Sequence, residues 1–466
     1  MRFATNKILL LLFCTSFYFT NAQNNFTSYS KEEGLSSSTI LFTFLDSKGI
    51  IWAATNNGIN AFTGKNWVSI NSIEGNNGNK QYLGKILKVF ESSNTDLWIS
   101  TEKGIFHFNR KYWTHFSDHD NKEFAVKLFF EDIKQNIWVL LEKDRKINDA
   151  GELGFSFVEG RMQMYNGYQW YDFPGMIGGS ATVITGEPKE YFTSIILASN
   201  NDIWVTSLDG LYNYNGRKWT EYNEEHLPSD RCHKVIETSN NKIWVATANG
   251  IAKQNGEEWI KYEKTKGIKD NLPYDFFEDG NNRLWTFTRK DHKFKSLCYF
   301  ENKKWISCFN KDIHIKGQVT ELIELNHEII AFSSKGLSLF RQNSWENFEK
   351  LFGLKDDKFK EIIKSKNNSV TFTGQQGLYK LGKNGLETIY SPSSKWRVTS
   401  LLEASNGDIW LGTEKLGLFR FQERTSKNYN TNNGLIDHGI ISIFEDMRKN
   451  IWVITKNGIS LFNKNQ

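Results

Sequence analysis

Ten copies of one short pattern run along this chain, and they account for 15 of its 16 tryptophans. The clearest copy reads Ile243-Trp244-Val245-Ala246-Thr247-Ala248-Asn249-Gly250-Ile251: an apolar residue, a Trp and, six positions after the Trp, a Gly followed by Ile or Leu. The same phase holds at Trp52/Gly58, Trp98/Gly104, Trp204/Gly210 and Trp452/Gly458, with one extra residue at Trp410/Gly417. Trp138 and Trp285 open copies whose next turn is stretched, and Ile330/Gly336 and Thr371/Gly377 keep the phase without the Trp. A fixed period constrains a fold more than composition does, because each unit leaves an apolar face that only its neighbour can bury.

Successive repeat cores lie 46, 40, 66, 40, 41, 45, 41, 39 and 42 residues apart. About 40 to 45 residues is the size of one four-stranded propeller blade. Segments such as Trp-Val-Ala-Thr and Trp-Ile-Ser-Thr are β-branched and aromatic, as strands require. Upstream of each Trp is a second apolar run, such as Ile440–Phe444, and turn residues such as Ser405-Asn406-Gly407-Asp408 separate the two. These form a hairpin of strands A and B. The Gly six residues past the Trp marks a turn that needs φ > 0. Strand C follows, then turns such as Asn215-Gly216, then strand D with a second tryptophan nine residues after the Gly: Trp67, Trp113, Trp219, Trp259 and Trp345, with Trp170 and Trp305 in the stretched copies. Only Trp396 falls outside both series. A helical solenoid is excluded by turns every 8 to 12 residues and by the lack of a long 3.6-period stripe.

The expected fold is therefore all-β, a β-propeller of about ten four-stranded blades. The last copy ends at Gln466, one residue short of the strand D tryptophan, while Phe26 and Tyr29 have the spacing of strand D aromatics. The first strand should complete the last blade, which removes an exposed edge and closes the circle. That match also predicts a chain complete in itself. A single break in phase favours one ring over two smaller ones, and both remain open at this point.

Residues 1–22 read as a secretory signal, with Arg2 and Lys7 ahead of a short apolar stretch and Thr20-Asn21-Ala22 at the cut; residues 23–466 are the propeller. No later window is apolar enough to span a membrane, so the expected product is exported, periplasmic or secreted. The formal charge of +5 is spread among acidic residues with no basic tract, which argues against a nucleic-acid partner. Four cysteines are too few for a disulfide scaffold. Cys298 and Cys308 flank the strand C to D turn and could bridge, although Cys308 also sits where other copies have a core aromatic; Cys232 is expected to be buried and unpaired.

No metalloprotease, nucleophile-elbow, Walker or CxxC motif is present, so neither a metal nor a cofactor is expected. A Glu lies seven residues before the Trp in six copies: Glu91, Glu131, Glu237, Glu278, Glu403 and Glu445. A residue repeated in every blade serves the blade, so these glutamates and the tryptophans read as structural. Variation is the better pointer to function. The link from strand D into the next strand A lies at the mouth of the central channel and differs between copies, which nominates Asp230, Arg231, Asp270, Asp357, Asp437 and His438 as binding residues. The third copy carries insertions near 142–159 and 172–190.

At these residues the chain resembles the two-component regulator propeller repeat, whose pattern runs Gly-Leu, then Glu-Asp, Gly, apolar-Trp, Thr and Gly-apolar. Gly434 to Ile459 matches nearly throughout, as do Glu403 to Leu418 and Gly34 to Ile59. The resemblance implies the periplasmic sensor propeller of Bacteroidetes hybrid histidine kinases, many of which sense glycan fragments, here without kinase, receiver or transmembrane helix. It carries over no ligand residue. The function it implies is an exported, sensor-like binding propeller whose partner is a glycan, a peptide or an envelope protein. Streptogramin lyase is similar in its Trp-containing propeller repeats, so a lyase or hydrolase in the channel is the alternative, and a structural subunit of an envelope complex the third.

Overall fold

The computed structural model describes residues 25–74, 78–116, 124–143, 160–172, 192–263, 272–290, 293–307, 319–333, 336–341, 344–348, 352, 359–365, 367–383, 385–393, 395–422 and 425–463. The proposed signal segment and both insertions of the third copy fall outside them. Among the described residues the repeats form ten four-stranded antiparallel sheets, numbered here in chain order, with strands A to D in each. Sheet 1 is built from Ile40–Leu45, Ile51–Thr55, Gly58–Phe62 and Trp67–Ile70. An added hairpin, Ser72–Glu74 with Lys80–Tyr82, accounts for the longer step to sheet 2. Sheet 10 combines Ile440–Glu445, Ile451–Thr455 and Gly458–Phe462 with Phe26–Tyr29, paired Phe26↔Phe462 through Tyr29↔Ile459. The ends of the chain thus share one sheet, as the aromatic spacing predicts.

Ten apolar clusters fill the seams, each drawn from two successive sheets. One joins sheet 10 to sheet 1 through Trp452, Ile454, Tyr29, Trp67 and Ala53, so the sheets close a single ring. The others carry the same contact onward, for example Trp244 of sheet 5 with Cys298 and Trp305 of sheet 6, or Trp410 of sheet 9 with Phe26 and Phe462 of sheet 10. The strand B tryptophan of one sheet meets the strand D tryptophan of the next edge-to-face: Trp98–Trp170 at 6.2 Å, Trp204–Trp259 at 5.9 Å, Trp244–Trp305 at 5.9 Å, Trp285–Trp345 at 6.3 Å and Trp452–Trp67 at 6.2 Å. This geometry suits the ring quadrupole. Trp396 fills the seam between sheets 8 and 9, where strand B of sheet 8 has Thr371 in place of Trp, and donates its indole N–H to the Gly374 carbonyl at 2.8 Å.

Two recurring carboxylates finish the seams on the face of the A–B turns. The Asp six residues before the Trp accepts that indole N–H at 2.9 Å in Asp46–Trp52, Asp132–Trp138 and Asp446–Trp452 and at 2.8 Å in Asp279–Trp285, while its other oxygen accepts backbone N–H groups of its own turn. Trp204 and Trp410, whose copies have Ala198 and Ala404 there, leave this N–H without a partner among the described residues. The Glu seven residues before the Trp reaches the preceding sheet. Glu278 accepts from Ser239 N at 2.7 Å and Ser239 Oγ at 2.9 Å, and the same clamp joins Glu91 to Ser47, Glu131 to Ser93, Glu237 to Ser199 and Glu445 to Ser405. Glu403 accepts from Ser365 Oγ, and Glu324, in a copy whose turn is one residue shorter, accepts from Gly280 N at 2.6 Å. The B–C glycines also behave as expected. Gly458 has φ 146°, and a Cβ there would lie 2.4 Å from the Tyr29 carbonyl oxygen.

Replacing Glu278 by Ala should cost roughly 1–2 kcal/mol, since a charge-assisted pair of hydrogen bonds is lost at a partly exposed site. Thermal melting of E278A, S239A and the double variant should show the double variant melting with E278A; fully additive losses would remove the clamp. Phe26 packs on Tyr429 at 5.5 Å and Phe462 at 5.4 Å. F26A should therefore cost about 3–5 kcal/mol, against little change for V68A at an exposed strand D position. An F26A protein that melts like the parent would refute closure by the first strand.

Candidate functional site

Strand A is the innermost strand, because the A strands of neighbouring sheets run beside one another, as in sheets 4 and 5 or 9 and 10. In nine of the ten A strands the register slips by one residue near the start, between Cys232 and Lys234, Val398 and Ser400, and Ile440 and Ser442 among others. Such a bulge frees one residue from the ladder and re-aims its side chain. The D–A links and B–C turns meet on this same face. Arg231 O accepts from Ala248 N, Arg397 O from Glu414 N and His438 O from Gly417 N, at 2.8, 2.9 and 3.2 Å. This face is the channel mouth.

At sheets 8 to 10 the mouth opens into a cavity of about 340 Å³, lined by Lys360, Arg397, Val398, Thr399, Glu414, Gly439, Ile440, Ile441 and Lys456. The bulged residues Thr399 and Ile441 form its apolar and hydroxyl floor, and the Thr399 hydroxyl has no partner among the described residues. Arg397 Nη1 lies 2.9 Å from Glu414 Oε2 and is 73% exposed. The hydrogen bond and charge of Arg397 hold the Glu414 carboxyl below its usual range. Beside Lys360, burial raises the Glu361 carboxyl, with the Lys360 charge opposing the shift. Three cations against one ionised carboxylate give the cavity a positive wall that still presents both donors and acceptors. Among the described residues no group of three or more His, Cys, Asp or Glu is arranged to hold a metal ion.

The nominated link residues divide. Asp437 shapes the edge of this cavity: its carboxylate accepts from Asn457 Nδ2 at 2.6 Å and Gly439 N at 2.8 Å. His438 beside it is exposed. Asp230 and Arg231 open sheet 5, five sheets around the ring, and do not join the cavity. There Arg231 is exposed, and Asp230 Oδ1 and Nε2 of the bulged His233 are buried without a partner among the described residues. Asp270 and Asp357 lie outside the described residues. So does Cys308; Cys298 is buried and pairs in register with Ser307. Cys232 is a buried thiol 3.9 Å from the Ser229 carbonyl oxygen, its pKa raised by burial and then by Asp230. The cavity's own residues Glu414 and Lys456 went unread in the sequence, although both stand four residues after a strand B Trp, at a turn position whose residue type varies among the copies.

Residues 392–415 match the family described as Two component regulator propeller. No curated protein matches the chain. Among solved structures it is similar to a protein described as the extracellular domain of a hybrid two component system of B. thetaiotaomicron, at 15% identity and TM-score 0.28, covering 95% of this chain and 71% of that one. It is similar to PorZ, a surface component of the type-IX secretion system of Porphyromonas gingivalis, at 13% identity and TM-score 0.32, covering 92% and 74%. It is also similar to the virginiamycin B lyase of Staphylococcus aureus, at 12% identity and TM-score 0.30, covering 73% and 96%. Likeness at this level carries nothing about ligand or activity. Among the described residues no helix is long and apolar enough to cross a membrane.

Burial, and then the charge of Arg231, lowers the pKa of His233. In the unfolded chain that imidazole takes a proton near pH 6.5. Its lowered folded value means the fold loses stability as pH drops below about 6.5, and no further once below the folded pKa. H233L should lose less melting temperature than the parent between pH 7.5 and 5.5; equal losses would show that folding does not lower the His233 pKa.

Proposed function

We propose that this chain, built from two component regulator propeller repeats, is an exported ligand-binding propeller of the sensor type that takes a glycan fragment at the mouth of sheets 8 to 10. The observation that carries this reading is the cavity of about 340 Å³ in which Arg397, Glu414, Lys360 and Lys456 surround an apolar floor. A sugar ring needs apolar contact on its face and charged donors and acceptors on its hydroxyls. Lys360 and Lys456 add a preference for a sugar bearing an acidic group. The site sits on links and turns of a rigid ring, where a ligand meets a wall that is already formed.

Binding without chemistry is the reading favoured over catalysis. Among the described residues, the acidic groups at this cavity are Glu414, paired with Arg397, Asp437, held by Asn457 and the Gly439 N–H, and Glu361, whose pKa burial raises. Thermal melting against a panel of neutral and acidic oligosaccharides tests the proposal, because a ligand specific for the folded state must raise the melting temperature. A saturable rise is expected with an acidic oligosaccharide, reduced at least tenfold in apparent affinity by R397A/K456A. A rise that the double variant keeps would move the site elsewhere, and no rise with any glycan would point to a protein partner.

A further inference from the structure

On the opposite face, three copies share a second device that a fourth keeps only in part. The residue paired across from the strand B Trp lies over the indole, and an Asp two residues before the Trp holds it there. In sheet 2, His107 stacks on Trp98 at 4.3 Å and meets Asp96 at 2.8 Å. In sheet 9, Arg420 lies 5.2 Å over Trp410 and meets Asp408 at 2.6 Å. In sheet 4, Asn213 Nδ2 donates to Asp202 at 3.2 Å. Sheet 5 keeps the cation, with Lys253 Nζ 5.0 Å over Trp244 and 5.8 Å over Phe300 of the next sheet, but has Lys242 where those three have Asp. Among the described residues Lys253 Nζ has neither an ion pair nor a hydrogen bond. Burial, then the like charges of Lys242 and Lys303, push its pKa down.

The missing carboxylate leaves space. Between sheets 5 and 6 a pocket of about 520 Å³ is lined by Trp244, Lys253, Phe300 and a ring of amides that includes Asn240, Asn281, Asn282 and Asn302. The side chains of Asn240 and Asn282 sit beside the Thr238 and Ser239 hydroxyls, at 2.8 and 3.0 Å. The equivalent pocket between sheets 9 and 10, where Asp408 fills the same place, is about 180 Å³. Of the carboxylates on the larger pocket's wall, Glu278 is engaged by Ser239, and Glu301 is outnumbered by Lys242, Lys253 and Lys303. We propose that this pocket is a binding site for a small hydroxylated carboxylate, such as a uronic acid, whose carboxylate takes on Lys253 the place that Asp96, Asp202 and Asp408 hold in the other copies. Phe300 and the amides would hold the rest of the ligand, and the site lies apart from the mouth cavity.

Titration calorimetry with glucuronate, glucose and inorganic sulfate tests this in the R397A/K456A background, so that the mouth contributes nothing. Glucuronate should bind saturably and glucose should not. K253M should weaken glucuronate at least tenfold. K242D supplies the internal partner that Asp96, Asp202 and Asp408 give in their copies and should weaken it as much while leaving the melting temperature equal or higher, which separates loss of the site from loss of the fold. Glucuronate that fails to bind this background, that binds K242D as well as the parent, or that binds no better than sulfate would overturn the proposal, whatever the result at the mouth.

Discussion

The contact between neighbouring sheets is what the ring depends on. No single four-stranded sheet of about 40 residues can bury its own apolar faces, so each is stable only against the next. The chain meets that requirement with variations on one seam: an indole from strand B in eight copies, an aromatic ring from strand D of the following sheet in most, and carboxylates that tie many of the turns together. The seam between sheets 10 and 1 has the same tryptophan pair, Trp452 with Trp67, although its strand D comes from the opposite end of the sequence. Closure therefore needs no special contact. It extends the repeat once more and leaves no open edge.

Repetition also sorts residues by role. Where most copies agree, the residue serves the seam: the glutamates that tempt a catalytic reading are the clamps onto the preceding turn, and the strand B tryptophans that could be sugar platforms are buried in the clusters. Chemistry falls where the copies vary. Glu414 and Lys456 occupy a turn position whose residue type varies around the ring, and Lys242 stands where three counterparts are Asp. A rigid ring tolerates such departures because each touches one seam among ten.

Much of the fold was legible because its signals are local. The Trp-to-Gly spacing, the turn glycines and the aromatic pair Phe26 and Tyr29 give strand order and closure directly. The partners of the glutamates were not legible: Glu278 meets Ser239 across 39 residues, and only three-dimensional stacking makes them neighbours. Glu324 escaped because its turn is one residue shorter, which shifts it out of phase while leaving it in place. The candidate site was legible only in part. Link variation led to Asp437 and His438 at the edge of the mouth cavity, but it gave equal weight to Asp230 and Arg231 half a ring away, because spacing along a repeat says which face a residue lies on and not which residues converge. Arg397, Glu414, Lys360 and Lys456 come from three successive sheets and meet only in the folded ring.

The central claim is that ligand recognition sits where the copies differ and structure where they agree. Hydrogen exchange of the purified protein, with and without a saturating acidic oligosaccharide, tests it most directly. The account predicts slowed exchange confined to the backbone around residues 397–399, 414–417, 439–441 and 456, with the strand B and C ladders unchanged around the ring. Slowed exchange spread evenly over all ten seams, with no local change at the mouth, would contradict it.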